Sequence, residues 1–146
     1  MDTNDGNPAK YTGGCLCGAV RYEVRGELMD VVNCHCSKCR RFNGHVGAYT
    51  ATDRKNLVFS RSDGLKWYHS TLDETPNVHR GFCAECGSSI FWDPRDNMNI
   101  SIAAGSLDPP TNLKTTRHVW VSQKTDYYKI SDDLPRHEES FARGGI

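Results

Sequence analysis

The chain has 146 residues, 18 Lys and Arg against 18 Asp and Glu, 37% hydrophobic residues and seven cysteines. That length suits one domain, which buries roughly 68–70% of the surface its unfolded chain exposes. The charge balance argues against a strong phosphate footprint, so nucleic acid is not an expected partner, and no apolar run reaches the about 18 residues needed to span a membrane.

The opening segment, MDTNDGNPAKYTGG, is polar and has no apolar core of a secretory signal. A reducing, cytoplasmic setting is therefore expected, where disulfides are rare, and an odd number of cysteines also argues against a disulfide framework. Residues 1–12 are expected to form a flexible leader, with a single zinc-binding domain over 13–146. AVRYEV (19–24) alternates Val20, Tyr22 and Val24 against Arg21 and Glu23, which predicts a half-buried strand. Short runs of similar character follow: DVVN (30–33), VGAYTA (46–51), NLVFS (56–60), LKWYHS (65–70), NVHRGF (77–82), SIFW (89–92), MNISIAA (98–104) and RHVWV (117–121). Each is bounded by Gly, Asn, Asp, Ser or Pro, so the fold class reads as all-β. Helical pattern is scarce: Ser37 to Phe42 can form one turn with Ser37 as its cap, and the polar tail DDLPRHEESFARGGI is expected to lie across the surface.

The cysteines fall into three groups: Cys15-x-Cys17, Cys34-x-Cys36-x-x-Cys39 and Cys83-x-x-Cys86. The outer two groups each place a glycine directly after the last cysteine, Gly18 and Gly87. A metal knuckle turns the backbone sharply so that amide N–H groups face the sulfurs, and glycine reaches the required positive φ at little cost. Two such half-sites make one complete tetrahedral four-cysteine cage, the donor set of a structural zinc. Closing so long a loop with a metal clip stabilises the fold most.

The middle group offers three thiolates and no trailing glycine. Lys38, Arg40 and Arg41 stand beside it, and three thiolates on one Zn²⁺ carry a net negative charge that cations would offset. His35 lies between the first two cysteines and points away from them in an extended chain. Two readings stay open. His45, His69, His79 or His118 closes a second structural site, or the fourth position is left for a substrate. A three-thiolate zinc activates water weakly, but a soft site suits a substrate thiol, which would bind as a thiolate near neutral pH. A third use, redox or metal handling by exposed thiolates, is also compatible with the group.

GGCLCGAVRYEV, NCHCSKCRRFNG, RGFCAECGSSIFW and HVWVSQKTDYYKISDDLPRHEE together resemble the glutathione-dependent formaldehyde-activating enzyme family, also called the GFA or CENP-V family. The resemblance implies a β-tent domain of antiparallel sheets. It implies a structural zinc on Cys15, Cys17, Cys83 and Cys86, and a second, catalytic zinc on Cys34, Cys36 and Cys39. The activity implied is that of a carbon–sulfur lyase, acting on the adduct of a glutathione-like thiol and a small aldehyde. Such a substrate has carboxylates, for which Arg40, Arg41 and Arg80 are candidate partners, with Trp67 and Trp120 as candidate pocket walls. The competing class is a zinc-stapled β domain that binds protein or nucleic acid without catalysis.

Overall fold

In a computed structural model, residues 8–140 are described. Among them, ten strands form two sheets, accompanied by a single α-helix. The smaller sheet has three strands: β1 (Tyr11–Gly14), β2 (Arg21–Val24) and β5 (Leu57–Arg61), in the order β1-β2-β5. The larger has seven: β3 (Val31–Cys34), β4 (Gly47–Asp53), β6 (Leu65–Ser70), β7 (Val78–Cys83), β8 (Ser89–Pro94), β9 (Asn99–Ala103) and β10 (Thr115–Val119). Their order is β10-β3-β4-β9-β8-β7-β6.

The all-β expectation holds, with one correction to its antiparallel character: β10 pairs with β3 in parallel. Through β4, β9 already runs parallel to β3. The connection after β9 is a crossover that returns the chain to the same end of the sheet, so β10 enters parallel. β1 is a strand that the pattern of residues hid, because Gly13 and Gly14 read as a turn. It pairs with β2 from Tyr11 to Gly14, so Tyr11 and Thr12 belong to a sheet and not to a loose leader. Residues 1–7 lie outside the described residues.

Alternation sorts the larger sheet's side chains onto two faces. Ile90, Phe91, Ile100 and Ile102 form one cluster with Tyr22 and Val24 of β2 and with Val20 just before it, all at most 2% exposed. The Tyr22 and Phe91 rings lie 5.5 Å apart. Each such side chain contributes about 1.5–3 kcal/mol on burial. Val32, Tyr49 and Val119 pack with Cys34, Cys36 and Cys39 in a second cluster, flanked by Trp92 and Trp120.

The helix α1 (Ser37–Asn43) follows β3 directly. Its N-cap is Cys36, not Ser37: the Cys36 Sγ accepts from the Cys39 N–H at 3.3 Å. Ser37 is the first helical residue, and its N–H, which has no partner within the helix, donates to the Gln123 side-chain oxygen at 2.8 Å. Gly44, at φ 92, ends the helix by donating to the Arg40 carbonyl.

Candidate metal centres

Cys15 ends the β1 side of its hairpin turn, and Cys17 stands in the turn into β2. Cys83 closes β7 and Cys86 sits in the turn into β8. All four sulfurs lie within 4.8 Å of one another. Cys17 Sγ is 3.8 Å from Cys83 Sγ across 66 residues of chain, and 3.7 Å from Cys15 Sγ. The knuckle geometry follows the expectation. Gly18 and Gly87 have φ of 87° and 81°, and the Val20 N–H donates to Cys15 Sγ at 3.2 Å. The Ser88 hydroxyl, then its N–H, holds the Cys86 thiol down to about 5. This cluster ties the smaller sheet to the larger.

The middle group is gathered by the end of β3 and the first turn of α1. Cys34, Cys36 and Cys39 are all buried, at 2%, 5% and 4% exposure, with sulfurs within 4.8 Å of one another. Hydrogen bonds from Cys34 and Cys39 pull the Cys36 thiol down, and the same contacts push Cys34 up. Three thiolates this close repel one another, so all three ionise together only around a cation. That donor set fits a soft divalent metal. Both cysteine clusters can therefore hold metal ions.

The fourth position has no protein donor among the described residues: the group contains three sulfurs and no His, Asp or Glu. His45 bonds the Tyr127 hydroxyl at 2.8 Å. His69 and His79 stack on each other across β6 and β7, 4.4 Å apart. His118 is committed to His35 at 2.8 Å and to Asp132 at 3.0 Å. The chain Asp132–His118–His35 steadies the loop between Cys34 and Cys36 from behind.

The middle sulfurs line a cavity of about 410 Å³. Trp92 and Trp120 are among its walls, with Lys38, Asp73 and Glu74 supplying charge. A larger groove, about 790 Å³, runs past Cys15, but the three-cysteine group lies only in the smaller cavity. Of the residues proposed from sequence, Trp120 lines the cavity. Arg80 reaches Cys39 from β7, its guanidinium nitrogens 3.8 and 4.0 Å from Sγ. Arg41 lies instead in the larger groove, and Arg40 lines neither cavity. Trp67 is half-buried at the edge of the core, stacked on Phe91 at 5.7 Å, because alternation along β6 turns it to the face opposite Arg80 and Trp92. The sequence reading missed Trp92 and Asp73; Trp92 could have been found from its parity with Arg80, which pairs with it in register.

Comparison with known proteins extends this geometry. Residues 10–123 match the family described as glutathione-dependent formaldehyde-activating enzyme, a span that includes all seven cysteines. A Halomonas elongata protein, provisionally named as a glutathione-dependent formaldehyde-activating enzyme, is 30% identical over 129 residues, covering 81% of this chain and 79% of its own. An uncharacterised lyase of Schizosaccharomyces pombe is 25% identical over 125 residues, covering 84% of this chain and 87% of its own. A crystal structure of a Rhodobacter sphaeroides protein superposes with a TM-score of 0.54 at 29% identity, covering 69% of this chain and 91% of that one. The chain belongs to the glutathione-dependent formaldehyde-activating enzyme family.

Proposed function

We propose that the protein is a zinc-dependent carbon–sulfur lyase that forms and cleaves the adduct of a glutathione-like thiol with a small aldehyde. The observation that carries this reading is the incomplete donor set: three buried sulfurs at the wall of a cavity, with no fourth protein ligand among the described residues. Zinc matches both sulfur-only sets. At the middle site it would supply a soft cation that favours a substrate's sulfur as thiolate at neutral pH.

Cys34, Cys36 and Cys39 would hold the ion at the cavity wall, and Cys15, Cys17, Cys83 and Cys86 would hold a structural one. In the synthetic direction the substrate S–H bond breaks and a sulfur–carbon bond forms at the aldehyde carbon. The carbonyl π pair moves to oxygen, where the proton ends. Cleavage runs the same bonds backwards, and neither direction needs an oxidant. Trp92 and Trp120 present apolar surface that excludes water and strengthens electrostatic contacts within the cavity. Lys38 is the cavity's cation for a substrate carboxylate. The names of the relatives support the lyase class and the thiol.

Cobalt substitution tests the reading, because the visible spectrum of Co²⁺ responds to the number of thiolates around it. Glutathione, and separately cysteine, should change the spectrum of the middle site and leave that of the four-cysteine site alone. The zinc-loaded protein should also speed appearance of S-(hydroxymethyl)glutathione, followed by NMR, above its spontaneous rate. A silent spectrum with both thiols, together with no acceleration, discards the proposal.

A further inference from the structure

The cation that touches the middle cysteines does not come from the basic run on α1. It comes from β7, where Arg80 is 2% exposed. Two of its guanidinium nitrogens face Cys39 Sγ at 3.8 and 4.0 Å. The same guanidinium is gripped by Asp73, from Nη2 to Oδ1 at 2.9 Å and from Nε to Oδ2 at 3.2 Å. Phe42 of α1 lies against it, 5.3 Å from ring centre to guanidinium carbon. Asp73 stands on the loop between β6 and β7, and it also accepts from the Trp92 indole N–H at 3.3 Å and from the Ser70 hydroxyl. The side chains of the ion pair are 3% and 7% exposed.

A buried ion pair gives up hydration that its mutual attraction only partly returns, so it is weak evidence for stability as such. Its position suggests another use. Three thiolates and a divalent ion leave one excess negative charge, and Arg80 is the cation in contact with it. Arginine suits the place because its planar fork reaches a carboxylate and a sulfur at once, which a single ammonium cannot do. Lys38 is more exposed and lines the cavity, which leaves it available to a ligand.

We propose that Asp73 and Arg80 are a positioning pair for the middle cysteine site. Asp73 orients the guanidinium against Cys39 Sγ, where its charge offsets the excess negative charge of the donor set. The same carboxylate fixes the Trp92 indole as a cavity wall. Removing Asp73 therefore disturbs the sulfurs and the cavity together, although its own side chain touches no cysteine. The inference rests on the reading of Cys34, Cys36 and Cys39 as a metal site, and it assigns Arg80 away from substrate binding.

The test is a competitive chelator titration of Co²⁺ at both sites in the full chain, with the four-cysteine site as the internal reference for folding. Arg80→Met should weaken the middle site about 10–100-fold, the usual effect of losing a group that supports a metal ligand, and leave the four-cysteine site unchanged. Arg80→Lys should fall between the two proteins. Asp73→Asn, which keeps the arginine, should also weaken the middle site selectively. Equal middle-site affinity in wild type and Arg80→Met overturns the pair's role, and so does a parallel loss at both sites. If Arg80→Met fails to fold, seen as absence of the four-cysteine spectrum, Asp73→Asn and Arg80→Lys decide by the same criteria. A wild-type chain that binds metal only at the four-cysteine site overturns the metal reading itself, and with it the pair.

Discussion

Three glycines show how single positions bear on the four-cysteine cluster. Gly18 and Gly87 sit at φ of 87° and 81° with no atom within 4 Å of where a methyl group would project. Alanine at Gly87 therefore meets only a torsional cost, about 1–2 kcal/mol. Gly64 is the reverse case: a methyl there would lie 2.7 Å from Ala19 Cβ and 2.9 Å from Cys83 Sγ. Gly87→Ala should lower the melting temperature of the metal-loaded protein while keeping its metal. Gly64→Ala should lower the melting temperature and also lose metal faster to a chelator, because it displaces a sulfur. Equal metal retention in the two variants would contradict this. The glycines after the cysteines were legible because the knuckle demands them locally. Gly64 was not, because its constraint comes from strands distant in sequence. Trp120 makes the same point. Its alternation reads as strand, yet it adopts φ 56°, a costly conformation for a non-glycine residue, and its N–H is held by the Glu139 carbonyl. Residue pattern alone carries no sign of that turn, which places its indole in the cavity.

At the scale of elements, the two cysteine clusters differ in what they join. The four-cysteine cluster links the β1–β2 hairpin to the β7–β8 hairpin, hence one sheet to the other. Structural zinc in such a cage supplies on the order of 10 kcal/mol, comparable with the whole stability of a domain at about 5–15 kcal/mol. Cys83→Ser should therefore abolish soluble folding or lower the melting temperature steeply. The middle group joins only β3 to the helix that follows it. Cys36→Ser removes a sulfur, but serine is a good N-cap and can still accept the Cys39 N–H. That variant should stay folded and lose the second metal. Melting curves paired with metal analysis separate the cases, and equal unfolding of both variants would make the middle site structural. The spacing of the cysteines made both groups legible. The companions of the middle group were less so. Parity along β7 and β8 puts Arg80 and Trp92 on one face, but which face meets the cysteines depends on how β3 and β8 come to share a sheet across β4 and β9.

For the molecule as a whole, the question is what holds the three-stranded sheet in place besides core and cysteines. The segment after β9 does so. Tyr22 Oη and Ser106 Oγ lie 2.7 Å apart, and the Asp108 N–H donates to the Thr12 carbonyl at 2.8 Å. The Asp108 carboxylate accepts from Thr12 Oγ1 at 2.6 Å and from Arg21 Nη2 at 2.5 Å, so one side chain clasps β1 and β2 together. Arg21, then Thr12, holds that carboxyl below its usual value of 3.8. Both side chains of the pair are partly exposed, at 38% and 45%, so the ionic contribution is small, up to about 1 kcal/mol. A carboxyl whose folded value is depressed binds fewer protons folded than unfolded. Its stabilisation is complete above the ordinary value and is lost as pH falls through the depressed one. Asp108→Ala should thus lower the urea midpoint at neutral pH. The gap to wild type should hold down to about pH 3.8 and shrink below it. Salt should narrow the gap at neutral pH as well, because an exposed pair is screened over a Debye length of about 10 Å at 0.1 M. A gap indifferent to both salt and acid would assign the side chain's part of the clasp to the Thr12 hydrogen bond, with no ionic part. No gap at all would leave the Tyr22–Ser106 contact, the Asp108 backbone bond, the cysteine cluster and the shared core to hold the smaller sheet.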